Sequence, residues 1–263
     1  MFAQKRLGQH FLINQEVVEE IIQAAQLQDT DEVLEIGPGL GVLTRALAQH
    51  AREVIAIEKD INMVKACRGI NSDLSNIKII AGNALALNET FFQQYFPKRP
   101  YKLVANLPYY LTSAIIRFFL NNPYRPAMLV LMVQQEVAER IIAGPPDANL
   151  LSVAVQFYSG VEIVTRVSKQ NFWPVPKVDS AVIRLIPHKK PLAKVDDKRF
   201  FQIVRAGFGE RRKQLHNSLA GGLKLDDNQA KRVLTKSGIK PDRRAQTLTL
   251  EEWLKLYQTI EKL

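Results

Sequence analysis

The sequence predicts an α/β fold, with a doubly wound sheet over residues 1–188 and a small all-helical domain over residues 189–263. Three observations carry this. Short β-rich apolar runs alternate with helix-length segments through the first two thirds of the chain, the pattern of a parallel sheet covered on both faces. A glycine-rich stretch, Gly37-Pro38-Gly39-Leu40-Gly41, follows the first of these runs and opens a helix. After Pro187 the apolar runs stop, a polar, proline-containing stretch intervenes, and helical periodicity takes over.

In chain order, residues 31–37 (DEVLEIG) read as a buried strand and residues 40–50 as a helix. Residues 53–60 (EVIAIEKD) and 61–71 repeat the pair. Three more strands are expected at 77–81, 102–105 and 127–133, each β-rich and bounded by helix-length segments. Residues 179–186 (DSAVIRLI) alternate and lie close in sequence to 161–167, so the sheet is expected to finish with antiparallel strands. Helices are expected at about 199–206, 211–219, 228–237 and 250–261.

Charge follows the same division. The chain carries 36 Lys+Arg against 26 Asp+Glu, a net +10. Residues 189–263 hold 18 and 9 of these, a net +9, which leaves +1 for residues 1–188. Concentrated on one small helical domain, this excess predicts a surface that grips a polyanion such as RNA. Cys67 is the sole cysteine, which excludes an intrachain disulfide and a zinc-type cysteine cluster. It suits a reducing compartment, and a cytoplasmic location is expected. The opening residues lead into no apolar signal segment, and no apolar run approaches the ~20 residues of a membrane helix. His10, His50, His188 and His216 lie in no metal-ligand spacing, so no metal is expected.

The glycine loop lets backbone pass close to a ligand, and alone it suits several nucleotides or a bare strand-to-helix turn. Two details favour S-adenosyl-L-methionine over NAD. The spacing is G-x-G-x-G, with Val42 where the dinucleotide fingerprint needs its third glycine. Glu35, just ahead of the loop, suits a cationic methionine moiety better than a pyrophosphate. The candidate cofactor residues are thus Gly37, Gly39 and Glu58, the last ending the second strand where a carboxylate can accept both ribose hydroxyls. Asn83, after the third strand, either reads the adenine edge or caps a turn.

Asn106-Leu107-Pro108-Tyr109, at the end of the fourth strand, is the most specific signal in the chain. An adenine amino group is a poor nucleophile because its lone pair is delocalised into the ring. The Asn106 side-chain oxygen and the Leu107 carbonyl can both accept hydrogen bonds from such a group and favour a pyramidal nitrogen. Pro108 restricts Leu107 to extended conformations, and Tyr109 can stack on a base flipped out of its helix. Alignment then provides most of the rate, with no general base required. In Phe172-Trp173-Pro174-Val175-Pro176 two prolines stiffen an extended loop that can hold an aromatic over the site. Phe172 is the expected one, against the alternative that Trp173 is a core residue.

Together these residues resemble the ribosomal RNA adenine N6,N6-dimethyltransferase family of the bacterial KsgA type, over nearly the whole chain. The resemblance implies a Rossmann-like class I methyltransferase sheet. Its N-terminal cofactor-covering motif is matched by Gln9-His10-Phe11-Leu12, which implies cofactor contacts from His10 and Leu12 and a further one from Asn106. Asn106 through Tyr109 matches the target motif, and Phe172 matches the aromatic of a segment running to Ser180. Arg211-Arg212-Lys213, with Asn217-Ser218-Leu219, resembles the basic helix of the family's C-terminal domain and implies RNA contacts. The implied substrate is a pair of adjacent adenosines in a 3′-terminal hairpin of small-subunit (16S) rRNA within a pre-30S particle, dimethylated during ribosome biogenesis by a monomer. Asn83 stands where most members have Asp, and His10 where Asn is also common. The competing readings are a large-subunit resistance-type dimethylase, in which Leu107 is less usual than Ile, an assembly factor that only occupies the particle, and a NAD-dependent enzyme.

Overall fold

A computed structural model describes residues 10–97, 100–190, 192–210 and 212–262. The first elements are β1 (Phe11–Leu12), α1 (Gln15–Ala25), β2 (Glu32–Ile36), α2 (Val42–Ala48), β3 (Glu53–Glu58) and α3 (Ile61–Ile70). They are followed by β4 (Ile77–Ala81), α4 (Glu89–Tyr95), β5 (Lys102–Asn106), α5 (Thr112–Asn121), β6 (Met128–Gln134) and α6 (Gln135–Ile142). Then come α7 (Leu150–Tyr158), β7 (Ser159–Val167), β8 (Phe172–Trp173) and β9 (Ser180–Pro187). The chain finishes with α8 (Asp197–Phe208), α9 (Leu215–Leu223), α10 (Asp227–Lys236) and α11 (Leu250–Ile260).

Seven strands form one sheet in the order β4-β3-β2-β5-β6-β9-β7. The first five run parallel, and β9 and β7 close the edge antiparallel. Residues 32–36 are buried throughout, as are 128–133. Near-continuous apolar sequence is what a strand covered on both faces requires. β2 pairs with β3 on one side and with β5 on the other. The crossovers therefore leave β2 and β5 in opposite directions, and a crevice opens at their carboxyl ends.

The chain divides into two units. One holds the residues up to Ala138 together with Ser159–Pro187, and the other holds Glu139–Tyr158 with the residues from His188 onward. A single cut near residue 188 thus misses the excursion of 139–158 into the second unit. Its physical reason is α7, whose Val153 and Phe157 join the buried cluster of Phe200, Ile203, Trp253 and Leu256. Phe157 stacks on Phe200 at 4.7 Å between ring centroids. In the same unit Gly207 seats Trp253, since a Cβ there would stand 2.4 Å from the indole Cη2. Reciprocal capping boxes, Asp226 with Gln229 and Thr249 with Glu252, start α10 and α11.

The helix expected from residue 211 begins instead at Leu215. Its first amide groups are taken by carbonyls from another segment, Leu215 N–H by Arg243 at 2.7 Å and His216 N–H by Pro241 at 3.3 Å. Arg212 and Lys213 therefore lie in the turn before α9, while Arg211 lies outside the described residues.

Among the described residues, no helix is long and apolar enough to cross a membrane, and no group of three His, Cys, Asp or Glu side chains is placed to hold a metal ion. The allegiance of α7 gives a test. Phe157→Ala is expected to destabilise the second unit by about 3–5 kcal/mol. Hydrogen exchange should accelerate in α8 and α11 and stay unchanged in β2 and β5; equal acceleration in both would contradict the assignment.

Candidate active site

A cavity of about 460 Å³ occupies the crevice at the carboxyl ends of the parallel strands. Its floor is the loop after β2. Gly39 and Gly41 both take positive φ, +56° and +83°, a region that L side chains rarely adopt. Their surroundings add a second constraint. A Cβ on Gly39 would stand 3.2 Å from the Phe11 ring, and one on Gly41 would stand 2.3 Å from Asn71 Nδ2.

Of the carboxyl groups on this cavity, Glu58 and Glu35 are both buried and differ in their hydrogen-bond partners. Glu58, at the end of β3, is buried and held by backbone amides: Asp60 N–H donates to one oxygen at 2.8 Å and Gly39 N–H to the other at 3.4 Å. Glu35, on β2, is 1% exposed, and its Oε2 has no partner among the described residues. Burial pushes the Glu35 carboxyl up to about 8, against a hydrogen bond from Thr44, and the charge of Glu58 adds to the rise.

Asn83 lines the cavity after β4 while its side-chain oxygen accepts from Leu85 N–H at 3.1 Å. It caps a turn, and the same side chain is at the cavity wall. Asp60 likewise caps α3 through Asn62 N–H at 2.8 Å and lines the cavity.

The wall opposite Glu58 is the segment after β5. Asn106 Nδ2 donates to the His10 carbonyl at 3.4 Å, which orients the amide. Leu107 N–H extends the ladder to Met132 at 3.3 Å, and Pro108 follows in extended conformation. The Tyr109 hydroxyl is hydrogen-bonded to Ser180 Oγ at 2.9 Å, and burial holds its phenol above the ordinary tyrosine range. One face of its ring lies against His10, with centroids 5.8 Å apart and planes 26° apart.

The roof is a two-stranded sheet of β1 and β8, pairing Phe11 with Trp173 and Leu12 with Phe172. Side chains alternate across such a ribbon. Phe172 is 2% exposed and lines the cavity, whereas Trp173 is 54% exposed, so the alternative that put Trp173 in the core does not hold. Leu12 is buried at the same roof. His10 Nδ1 lies 2.7 Å from the Pro174 carbonyl, which can only accept, so this nitrogen carries the proton.

His10, Leu12, Gly37, Gly39, Glu58, Asn83, Asn106, Leu107, Pro108, Tyr109 and Phe172 all line this one cavity. Arg212 and Lys213 belong to the other unit, where both are exposed and Lys213 pairs with Glu210 at 2.7 Å. Sequence reasoning missed Phe11, Asp60 and Tyr110 as wall residues. Phe11 was signalled by its place inside the N-terminal motif. Tyr110, 63% exposed at the cavity, follows Tyr109 directly and had no signal of its own.

Comparison with known proteins agrees in extent and in kind. The family described as ribosomal RNA adenine dimethylase matches residues 2–262. A protein named ribosomal RNA small subunit methyltransferase A from Dehalococcoides mccartyi is 45% identical over 95% of this chain and 86% of its own length. One of the same name from Alkaliphilus metalliredigens is 40% identical over 97% of this chain and 91% of its own. Among solved structures, a dimethyladenosine transferase from Plasmodium falciparum superposes with a TM-score of 0.80 at 27% identity, covering 96% of this chain and 98% of that one. The 23S rRNA methyltransferase ErmE superposes with a TM-score of 0.76 at 28% identity, over 95% and 99%. The chain belongs to the ribosomal RNA adenine dimethylase family.

Proposed function

We propose that this protein transfers methyl groups from S-adenosylmethionine to N6 of two adjacent adenosines in the 3′-terminal hairpin of small-subunit rRNA. On this reading it works in the cytoplasm, as a monomer, on a pre-30S particle. The observation that carries the reading is the Asn106–Tyr109 segment on one wall of the cavity whose floor is the glycine loop.

The residues present fit the cofactor. Glu58, fixed by two backbone amides, offers oxygens to a ribose, and Asn83 offers its amide to an adenine edge. Glu35 keeps an unpartnered buried oxygen toward a cationic ligand, and Gly39 leaves space under Phe11 that a side chain would fill. His10 and Leu12 close the same site from the roof. When bound, S-adenosylmethionine supplies an electrophilic methyl group on a sulfonium sulfur.

The protein's part is to prepare the nucleophile. With Asn106 Nδ2 donating to His10, its side-chain oxygen is the atom left to accept from an amino group. The Leu107 carbonyl accepts the second N–H, and Pro108 limits how far Leu107 can turn. In the first transfer two acceptors on one amino group draw its lone pair out of conjugation and toward the methyl donor. In the second transfer the single remaining N–H engages one of them. Tyr109, backed by His10 and anchored by Ser180, gives the flipped base one face, and Phe172 gives the other. The buried Leu12 and Phe172 cover the site from the roof, and orientation supplies the rate. Arg212 and Lys213 bind phosphates of the rRNA from the basic unit.

Incubated with small-subunit particles that lack the modification, the protein is expected to transfer tritiated methyl groups recovered as N6,N6-dimethyladenosine. Transfer to large-subunit RNA instead would overturn the substrate assignment. Asn106→Ala should lower the single-turnover rate by about a hundredfold or more, the scale of removing one positioned hydrogen-bonding group at a reacting centre. An unchanged rate would exclude the role given to Asn106. Replacing Arg212 and Lys213 together by Glu should weaken particle binding and reduce the slope of log K against log salt by about 2. S-adenosylmethionine affinity should be unchanged, and a parallel loss would contradict the separation of the two roles.

A further inference from the structure

Glu35 is an unusual wall for a cavity. It is 1% exposed, it faces the space from β2, and its Oε2 has no hydrogen-bond partner among the described residues. The groups around it offer no compensating charge. β3 presents another carboxyl, Glu58, and α2 presents the neutral hydroxyl of Thr44. From α3 comes Cys67, whose thiol is pushed up to about 11 by burial and by Glu35, and so stays neutral. β5 pairs Val104 against Glu35 and ends in the neutral Asn106. The cavity's other ionisable wall groups are Asp60, Tyr109, the neighbouring Tyr110, His10 and an exposed lysine, Lys59. None of these is among the causes acting on the Glu35 carboxyl.

We propose that Glu35 is a charge-reading residue: its carboxyl holds a proton in the empty cavity and releases it when a ligand of net positive charge enters, so that the site distinguishes the sulfonium cofactor from its neutral thioether product. The inference rests on the S-adenosylmethionine reading above. On binding, a carboxylic acid becomes a carboxylate facing a cation, and one proton goes to solvent. When the methyl group has moved, the adenine nitrogen has formed the new C–N bond and given up one proton to solvent, while the sulfur retains the electron pair of the broken C–S bond and loses its charge. The α-ammonium that remains is balanced by the ligand's own carboxylate. The Glu35 carboxylate has thus lost the uncompensated positive charge that held it ionised in a buried site, and takes one proton back from solvent. Desolvation that disfavours the ion in the empty protein thereby weakens the hold on the product.

The sign of the pH dependence follows. The empty protein keeps this proton up to about pH 8, whereas a cation beside Glu35 lowers the carboxyl in the complex. Between these two values the complex binds one proton fewer, so affinity for the sulfonium ligand rises with pH and flattens above about 8.

The test is isothermal titration calorimetry of the full chain with S-adenosylmethionine and with S-adenosylhomocysteine at pH 6.5. Buffers of different ionisation enthalpy give the proton count, and this pH lies below the ordinary α-amino range of about 7.7–8.0. Close to one proton released with S-adenosylmethionine and close to none with S-adenosylhomocysteine is expected. In Glu35→Gln the release should vanish, and the affinity ratio of the two ligands should shift by about tenfold against S-adenosylmethionine, the equivalent of one unit of carboxyl shift. If that variant does not fold, the wild-type protein still decides: affinity for S-adenosylmethionine should gain about tenfold from pH 5.5 to 6.5 relative to S-adenosylhomocysteine. Equal proton counts for the two ligands, or release that persists in Glu35→Gln, would overturn the inference while leaving the cofactor assignment intact. Absence of binding by either ligand would overturn the cofactor reading and the inference with it.

Discussion

β2 is hydrogen-bonded to β3 on one flank and to β5 on the other, and the chain reaches those two flanks by crossovers running in opposite directions. No helix can then cover the carboxyl ends of both β2 and β5, and the crevice between them is a necessity of the winding. The loop that leaves β2 and the loop that leaves β5 are forced together there: a Cβ on Gly37 would stand 3.8 Å from Pro108 Cδ. Gly37, at a φ of +70°, stands on one side and a proline-stiffened segment on the other. One lets backbone approach whatever fills the crevice, and the other fixes the direction of the acceptors that face it.

The remaining walls are added to that crevice by separate devices. The pairing of β1 with β8 brings residues some 160 positions apart in sequence into register, which carries Phe11 over Gly39 and Leu12 beside Phe172. His10 joins the two halves of the site, since its carbonyl accepts from Asn106 and its ring meets both Tyr109 and the Pro174 carbonyl. A change at His10 therefore reaches the amide, the aromatic and the roof together. The carboxyl groups divide the electrostatics. Glu58 is satisfied by backbone amides and stays available to hydroxyl groups, while Glu35 is left without enough partners to hold a charge alone.

Much of the sheet was legible because burial on both faces leaves a simple mark. The strand expected at 77–81 coincides with β4, and those expected at 53–60 and 127–133 fall within two residues of β3 and β6. The site was legible as far as its residues sit at strand ends, where a parallel sheet brings them together whatever the loop details. What the sequence hid has physical causes. The helix α7, LLSVAVQFY, is apolar enough to pack anywhere, and nothing local says that Phe157 stacks on Phe200 in the second unit. Residues 211–214 are fair helix formers, yet carbonyls from Pro241 and Arg243 fix the first turn at Leu215. The choice between Phe172 and Trp173 turns on pleat alternation in a strand of two residues, which no periodicity can reveal without its partner β1.

The claim on which the rest stands is that one crevice, at the junction of β2 and β5, receives the methyl donor between the glycine loop and the Asn106 segment. Hydrogen exchange of the intact protein with and without saturating S-adenosylmethionine tests it directly. Slower exchange is predicted at residues 37–41, 58–60 and 82–85 and across β1, with α8 to α11 unchanged. Protection confined to the second unit, or absent from the glycine loop, would contradict it.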